Sequence, residues 1–520
     1  MSPRKALAPD GVAVAGGALA VRGALAAPLR SEAAALAVGL RGHGRRPALV
    51  RTGGGRQPSR AARLRASVGP VVVCGVCGAL RDDMLPGDLV VASEVRGQDG
   101  RVRPCPAAPL LVGSLRAAGL RVHVGPIIGT AGLVHGRAQR SMLAGQGALA
   151  VDLESPALLD AVAGRPAVVV RAVVDTPARP LRRPGTPARG LRALRSLTRA
   201  APVLADWTQL TVGAALTAEP RAFCAGVERA IATVERALAG EVHPIYVRRQ
   251  IVHNTHVVAG LEARGAVFVT ELDEVPRGAT VVLSAHGVAP AVRAEAVARS
   301  LRVVDATCPL VAKVHTEARR AAEQGDVVVL IGHAEHEEVV GTRGEAPEDT
   351  VVVSSLGDVD RLTPPDGTRI SYLMQTTLAL DEAGAIAARL LVRFPHAQGP
   401  PSQDICYATS NRQAAVSRTA ASADVVLVLG SPNSSNSRRL VEVAERGGAP
   451  AHLVEDVNSV RLEWLAGAHS VGITAGASAP PHLVDDLVEA LAATGKVEAR
   501  NVSVGREHVA FELPKEVRSP

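Results

Sequence analysis

Three cysteines in the second half of the chain have the setting expected of metal ligands. Cys224, Cys308 and Cys406 each stand at a turn just before a helix-like stretch, where a helix N-terminus favours the thiolate. The separations of 84 and 98 residues are far from zinc-finger spacing, and a closed structural zinc site would need a fourth ligand. Three thiolates fit an iron–sulfur cluster with one iron left open, but unrelated buried cysteines would give the same pattern.

The other three cysteines give a weaker signal. Cys74 and Cys77 form a C-x-x-C pair in VVVCGVCGAL, without the partner and exposed helix start that a redox or metal site needs. Cysteine is often a small buried hydrophobe, so we expect this pair to be buried on a strand. Cys105, in RPCPAAP, indicates no site.

A second candidate site is IGHAEHEEVV, residues 331–340, which holds two histidines and three glutamates. Such a set could bind a metal, transfer protons or bind an anion. Other β-like runs also end in polar residues, in SAHG, DATCP, MQTT, GSPNSSN and TAGAS. Ligands of open α/β sheets gather outside the carboxyl ends of the strands, so these ends indicate one shared polar site.

Both halves of the chain are predicted to be α/β, because β-like runs alternate with alanine-rich helical stretches. The first half offers PALVRT, GPVVVCGV, GDLVVASEV, LRVHVGPII, GALAVDLES and AVVVRAVVD. The second half offers PIYV, AVFVT, TVVLSAH, RVVDAT, DVVVLIGH, VVVSS, RISYLMQTT, ADVVLVLGS, AHLVED and SVGITAG.

Length and composition indicate a globular protein of at least two domains. The chain has 520 residues, 47% hydrophobic and 21% charged, which is too long for one ordinary core. No Phe, Tyr or Trp precedes Trp207, while all Phe and Tyr lie at or after Phe223. This change predicts a junction near residues 210–220, with domains at 1–212 and 213–520.

Charge and hydropathy limit the partners and the location. The net charge of +8 suits acidic small molecules or acidic proteins and is too diffuse to predict nucleic-acid binding. No apolar run reaches the ~18 residues that span a bilayer. The first 21 residues imitate a signal peptide, but Asp10 and three glycines argue against one. We therefore expect a cytoplasmic protein that does not bind membranes.

Taken together, the motifs of the second half resemble one family. RAFCAGVERA, IVHNTHVV, SAHGV, DATCPLVAKVH, HEEVVGT, MQTTL, ICYATSNRQ, NSSNS and TAGASAP are similar, in order, to 4-hydroxy-3-methylbut-2-enyl diphosphate reductase, the last enzyme of the methylerythritol phosphate route to isoprenoids. The resemblance covers about residues 220–519. It implies three α/β subdomains around a central iron–sulfur cluster.

The resemblance also implies roles for individual residues. A 4Fe–4S cluster would be held by Cys224, Cys308 and Cys406, and its open iron would act as a Lewis acid on the substrate hydroxyl. Thr376 would lie beside that hydroxyl, and Glu338 would relay protons. The substrate diphosphate would be bound by His253, His286, His336, Ser434, Ser435, Asn436 and Ser478.

The implied reaction is the two-electron reductive dehydration of the allylic alcohol to isopentenyl and dimethylallyl diphosphates. Ferredoxin or flavodoxin is the expected electron donor, because such acidic carriers suit a basic chain. One motif departs from the family: HEEVVGT replaces the commoner HPEVEGT, so Glu337 stands where Pro is usual and Val340 where a second Glu is usual. His333, Glu335 and Glu337 are expected to be supporting residues of the loop.

Residues 1 to about 212 resemble, more distantly, the nucleoside phosphorylase and nucleosidase superfamily, particularly its hopanoid-associated members. The motifs are RTGGGRQPSRAA, VCGVCGALRDDMLPGDLVVASEV, GALAVDLESPAL and VVRAVVDTPA. The resemblance implies phosphate binding by Gly53–Arg56, ribose binding by Glu154 and base protonation by Asp175. An aromatic ring to stack a purine, worth roughly 1–3 kcal/mol, is absent before Trp207. An active enzyme, a site for another small ligand and a structural or regulatory appendage all remain open.

Two other functions compete for the second half. An iron–sulfur sensor or scaffold would keep the cysteines and lose turnover, but it would have no need of the histidines, Thr376, Glu338 and the Ser-Ser-Asn run. A zinc protein would use the three cysteines alone, and its lack of visible absorption near 400 nm would distinguish it from a cluster protein.

Overall fold

The chain forms two units, Met1–Leu210 and Thr211–Pro520. The computed structural model describes residues 23–44, 46–53, 64–240, 243–365 and 367–518. The signal-like start and most of the predicted phosphate turn, residues 54–56, lie outside these ranges. Among the described helices, none combines the length and the apolar character that crossing a bilayer requires.

The first unit contains an eight-stranded sheet that partly closes on itself. Along the sheet the strand order is β2-β1-β3-β7-β6-β4-β5, and β8 pairs with both β3 and β4. Five strands, β3, β7, β6, β4 and β8, therefore form a ring. The strands are β1 (Ala24–Ala27), β2 (Ala48–Arg51), β3 (Val71–Ala79), β4 (Leu89–Arg96), β5 (Val102–Pro104), β6 (Val122–Gly129), β7 (Ala150–Asp152) and β8 (Ala167–Asp175).

Valine-rich strands form the core of this unit. β3 and β8 run parallel with Val71 opposite Ala167, and both are almost wholly buried, as continuous runs of branched residues predict. The helices are α1 (Arg30–Gly39), α2 (Val112–Ala117), α3 (Arg137–Gly145), α4 (Ser155–Ala161) and α5 (Thr186–Trp207).

The second unit contains three separate parallel sheets, with strand orders β11-β10-β12-β13, β15-β14-β16 and β18-β17-β19-β9-β20. The strands are β9 (Ala214–Glu219), β10 (Ile245–Arg248), β11 (Ala266–Val269), β12 (Thr280–Leu283), β13 (Arg302–Asp305), β14 (Val327–Ile331), β15 (Thr350–Val353), β16 (Ile370–Met374), β17 (Val425–Leu429), β18 (Ala451–Val454), β19 (Ser470–Ala475) and β20 (Glu498–Ser503).

Helices connect these parallel strands, as parallel pairing requires. Each helix buries one apolar face; α6, for example, packs Val227, Ala230 and Val234 into a core shared with Val247 of β10. The helices are α6 (Ala225–Leu238), α7 (Thr255–Glu262), α8 (Pro290–Ala298), α9 (Pro309–Glu323), α10 (Glu337–Arg343), α11 (Leu356–Arg361), α12 (Leu380–Arg393), α13 (Tyr407–Ala420), α14 (Ser435–Arg446) and α15 (His482–Ala492).

The predicted fold class is confirmed: both units are α/β, and the second consists of three α/β sheets. In each sheet of the second unit the strands are parallel, so their carboxyl ends lie at one edge. The polar residues that follow the strands of the three sheets can therefore lie close together.

Candidate functional site

One cavity of the second unit collects residues from all three sheets. The space that its atoms leave empty, open solvent included, is about 770 Å³. The cysteines, histidines, serines, threonine, asparagine and glutamate that the sequence predicted as site residues all line it: Cys224, His253, His286, Cys308, His336, Glu338, Thr376, Cys406, Ser434, Ser435, Asn436 and Ser478.

Each of the three cysteines in the cavity is the N-cap residue of a helix. Cys224 precedes α6, Cys308 precedes α9 and Cys406 precedes α13. The Thr409 N–H donates to Cys406 Sγ at 3.3 Å, whereas Cys224 and Cys308 accept no such capping hydrogen bond. Three helix N-termini, whose positive ends favour negative charge, therefore meet at one site.

The three thiols are free and close together. Gly226 shows how close, because a Cβ at that position would lie 2.7 Å from Cys308 Sγ and 3.9 Å from Cys224 Sγ. Burial raises the pKa of all three thiols, to about 12 for Cys308 and about 11 for Cys406. Cys224 further raises the pKa of the other two thiols by charge repulsion, so the site suits a cation that compensates for three thiolates.

These features fit an iron–sulfur cluster held by three cysteines. Thiolate is the ligand that such clusters take, the cysteines are unpaired, and Gly226 leaves space where any side chain would press on sulfur. Among the described residues, Cys224, Cys308 and Cys406 do not form a group whose ligand atoms all lie close enough together to hold a single ion. That fits ligands spread around a cluster better than ligands around one zinc ion.

The three predicted diphosphate histidines form a compact group. The rings of His253 and His286 stack with centroids 4.0 Å apart and planes 18° apart, and His336 lies edge-on to both. Burial, followed by repulsion from His286, lowers the pKa of both His253 and His336 to about 3. His336 Nδ1 accepts a hydrogen bond from the Glu338 N–H at 3.2 Å, so a neutral His336 carries its proton on Nε2.

Small polar side chains from α14 and the β19 end complete this part of the cavity. Ser434 caps α14 by accepting the Ser437 N–H. Ser478 donates to the His253 carbonyl at 2.9 Å. Asn436 accepts the Ala477 N–H at 2.9 Å. Because their neighbours fix these groups, the N-terminus of α14 offers hydroxyl and amide groups in set positions to an anion.

Glu338 is buried beside the end of β16, with 2% of its surface exposed. Its Oε1 accepts the Thr376 N–H at 2.6 Å and its Oε2 accepts the Thr376 hydroxyl at 3.0 Å. Burial raises the pKa of Glu338 to about 7, although both hydrogen bonds from Thr376 oppose the shift. A carboxyl with this pKa can hold and release a proton near neutral pH.

Glu337, predicted from the sequence to be a loop residue that supports the site, lies at the start of a helix and contacts His286, which lines the cavity. It is the first residue of α10, and its two oxygens contact two cations: Oε1 lies 3.5 Å from Arg249 Nη1 and Oε2 lies 3.3 Å from His286 Nδ1. The His286 and Arg249 charges lower the pKa of Glu337 to about 2, against the effect of burial. His333 and exposed Glu335 lie outside the cavity lining.

Sequence reasoning missed several residues that shape the cavity. Phe511 lines it from the C-terminal segment, where no recurring motif marks it. Arg412 on α13 is fully buried and donates to the carbonyls of Ala222 and Phe223 at 2.8 and 3.0 Å. Arg412 thereby fixes the turn that carries Cys224. The only sequence signal for Arg412 was its place in ICYATSNRQ.

In the first unit, the predicted ribose and base residues lie at strand ends and pair with buried arginines. Glu154 Oε2 lies 3.9 Å from Arg171 Nη2, and Asp175 forms a short ion pair with Arg140. Burial raises the pKa of Asp175. Of the predicted phosphate turn, only Gly53 lies within the described residues. The roles predicted for Gly53–Arg56, Glu154 and Asp175 stay predictions.

The remaining cysteines are buried, as expected. Cys74 and Cys77 lie on β3, and Cys105 is 1% exposed. Burial raises the pKa of each thiol, to about 12 for Cys105. None of these three cysteines lines the cavity.

Comparison with known proteins adds the family. Residues 215–492, more than half of the chain, match the family model described as LytB protein, and residues 31–204 match the Phosphorylase superfamily model. The 4-hydroxy-3-methylbut-2-enyl diphosphate reductase 2 of Mycobacterium bovis is 57% identical over 308 residues, 58% of this chain and 94% of that protein. The reductase of Acidothermus cellulolyticus is 55% identical over 304 residues, 58% of this chain and 89% of that protein.

A solved structure agrees with these sequence matches. The E-1-hydroxy-2-methyl-but-2-enyl-4-diphosphate reductase of Plasmodium falciparum superposes with a TM-score of 0.57 and 38% identity, covering 59% of this chain and 97% of that one. The similarity therefore spans nearly the whole length of each of these reductases.

Proposed function

Because the chain belongs to the LytB protein family, we propose that residues 211–520 carry out the reductase reaction for which its relatives are named. The substrate is 4-hydroxy-3-methylbut-2-enyl diphosphate, and the products are isopentenyl and dimethylallyl diphosphate. The carbon–oxygen bond of the allylic alcohol breaks, two electrons and two protons are taken up, and the oxygen leaves as water. This is the last step of the methylerythritol phosphate pathway.

One observation carries the proposal: free thiols, anion-binding side chains and a buried carboxyl with a pKa of about 7 line the same cavity. A sensor that only held a cluster would have no use for the anion-binding groups. In this proposal Cys224, Cys308 and Cys406 hold a 4Fe–4S cluster. When bound, the cluster supplies electrons one at a time and Lewis acidity towards the alcohol.

The diphosphate binds, in this proposal, among His253, His286, His336, Ser434, Ser435, Asn436 and Ser478. A neutral His336 donates from Nε2, because its Nδ1 is already an acceptor. Ser434, Ser435 and Asn436 donate from the N-terminus of α14, whose positive end favours an anion. Several fixed donors acting together bind a multiply charged group and orient the hydrocarbon chain towards the cysteines.

Glu338 supplies a proton for the departing oxygen. It is protonated in a large fraction of molecules near neutral pH because its pKa is about 7. Thr376 contacts Glu338 through both its N–H and its hydroxyl, so the hydroxyl can give its own proton to the substrate oxygen and take the proton of the carboxyl in its place. The apolar side chains of Val227, Val252 and Leu310, which also line the cavity, limit water near the allylic carbon.

The electron donor is proposed to be a small acidic one-electron carrier, ferredoxin or flavodoxin. Residues 211–520 hold 29 Lys and Arg against 38 Asp and Glu, so the net charge of this unit does not support an acidic partner, and the donor is proposed from the family alone. The decisive experiment is an anaerobic turnover assay of the full-length protein with the substrate and dithionite-reduced viologen. We expect both diphosphate products; protein that contains the cluster and binds the substrate but forms neither product would favour the sensor function instead.

A further inference from the structure

Glu337 places a negative charge inside a site that otherwise favours an anion. Its carboxylate is about four-fifths buried and lies against His286, one of the histidines that line the cavity. A carboxylate there would be expected to repel a diphosphate unless it serves the neighbouring cations. Its position is therefore unexplained by the functions assigned so far.

The contacts of Glu337 connect two cations. Arg249 approaches Oε1 and His286 Nδ1 approaches Oε2, so each oxygen serves one cation. Arg249 is also bonded to Glu271 at 2.8 Å, and Glu271 is bonded to Arg248. Arg248, Glu271, Arg249 and Glu337 therefore form a series of ion pairs of alternating charge that ends beside the ring of His286.

The backbone of Arg249 supports a specific role for this arrangement. Arg249 has a φ of +56°, a left-handed conformation that costs a residue with a Cβ about 1–2 kcal/mol. Strain of this kind persists where surrounding contacts fix the residue, commonly at functional sites. Here the Arg249 N–H donates to the Val269 carbonyl at 2.6 Å, and the side chain pairs with Glu271 and Glu337.

A shared metal ion is a poor explanation of this cluster. One nitrogen each of His253 and His286 and one oxygen of Glu337 lie within 4.8 Å of one another. However, the two rings are stacked and nearly parallel. An imidazole binds a metal in the plane of its ring, and two nearly parallel planes do not meet at a common ion.

We propose that Glu337 is a positioning residue for the diphosphate: its carboxylate, 3.3 Å from Nδ1, fixes the orientation of the His286 ring. This inference rests on the proposed function of the cavity. With Nδ1 directed at the carboxylate, the opposite nitrogen, Nε2, is the one available to donate to the substrate. Arg249 holds Glu337 in place and offsets the charge on its other oxygen.

Other charged groups face the same pocket. His253 lies against His286, His336 lies edge-on to it, and Arg438 of α14 acts on both His253 and His336. Glu338 is turned away towards Thr376. All of these remain in a Glu337 variant, so comparing the variant with the wild type isolates the effect of the Glu337 charge.

The test uses the full chain loaded with its cluster, and Glu337→Gln as the variant, which keeps the shape and removes the charge. We expect KM for the substrate and the inhibition constant of inorganic pyrophosphate to rise about tenfold, the size of one charge-assisted hydrogen bond. We expect kcat and the cluster absorption to be nearly unchanged.

Two further variants keep the test interpretable. Glu337→Pro removes the carboxylate at the first position of a helix, where proline is well tolerated, and should match the Gln variant. Glu335→Gln removes an exposed charge of the same loop and should change neither constant. Unchanged KM and pyrophosphate inhibition in both Glu337 variants would overturn the proposal, as would tighter pyrophosphate binding by either of them. Wild-type protein that fails to turn over would refute the proposed function instead.

Discussion

Two adjacent glutamates illustrate how the first turn of α10 assigns different environments to similar residues. Glu337 is ionised between Arg249 and His286, whereas Glu338 is buried beside Thr376 with a pKa of about 7. Successive helical residues point about 100° apart, so neighbours in the sequence face different groups. The family resemblance predicted proton relay by Glu338, and that role stays a prediction. The sequence could not indicate the contacts of Glu337, whose partners are about 50 to 90 residues away.

The role of Glu338 can be tested with Glu338→Gln, which keeps the shape and removes the proton. We expect kcat to fall ~10²–10⁴-fold, as for a lost general acid, while KM and the cluster spectrum stay close to the wild type. Glu335→Gln is the matched control, since Glu337 itself contacts the pocket. Equal, small losses in both variants would contradict proton delivery by Glu338.

The pH dependence of the wild type follows from the same carboxyl. Its pKa is raised to about 7, so the protonated form is present below that pH and is lost as the pH rises through it. We therefore expect kcat, measured with reduced viologen in excess, to fall tenfold per pH unit well above pH 7. A flat profile between pH 6 and 9 would mean that Glu338 is not the acid.

The cysteines make a separate prediction at this scale. Ser in place of Cys224, Cys308 or Cys406 should lower the iron content and abolish turnover, because each removes one thiolate ligand. Cys77→Ser should leave the visible spectrum unchanged, since Cys77 is a buried thiol of the other unit. Bleaching of the protein by Cys77→Ser would show that the ligand assignment is incorrect.

At the scale of elements, the predictable strands were those with a strong valine pattern. All sixteen β-like runs proposed from the sequence contain strands of the structure, because branched residues favour buried sheets. β1 and β9 were missed because their sequences, ALAA and AALTAE, are rich in alanine, which favours helices. β20 was missed because its residues, EARNVS, are mostly exposed at a sheet edge.

The packing of α6 against the Cys308 turn gives an element-scale prediction. Gly226→Ala would place a methyl group 2.7 Å from Cys308 Sγ, so one of the two helix ends must shift. We expect the iron content to fall by more than half in folded protein. Gly384→Ala is the control: Gly384 lies in α12 with open space around it, and alanine there should stabilise the helix by about 0.5–1 kcal/mol. Full iron content in Gly226→Ala would argue against close packing of the thiols.

At the scale of the whole molecule, the motifs of the second unit were sufficient to predict its family, and the match over residues 215–492 confirms it. Their predictive value came from order and number, because each motif alone is also typical of ordinary turns and caps. The first unit matches the Phosphorylase superfamily, but its ligand could not be predicted from the sequence. The residues that would recognise a base or phosphate are either paired with buried arginines or lie outside the described residues.

The two-unit organisation predicts that the reductase works alone. Protein lacking residues 1–212 should retain its cluster and its turnover, because the cavity is lined only by residues 224–511. The measurement is iron content, visible absorption and viologen-linked kcat of the truncated and full-length proteins. A folded truncation that cannot keep the cluster would show that the first unit contributes to the site.

The three cysteines, at the starts of α6, α9 and α13, have a further consequence for how the unit unfolds. They divide the sequence into segments of 84 and 98 residues, so a group bound to all three closes two long loops at once. Closing such loops lowers the entropy of the unfolded chain, by the same argument as for a disulfide. The cluster would then act as a cross-link among the sheets, and no sheet could unfold fully while all three ligands stay attached. With the cluster, the unit should melt as a single cooperative block; stripped of it, the sheets should come apart at separate temperatures.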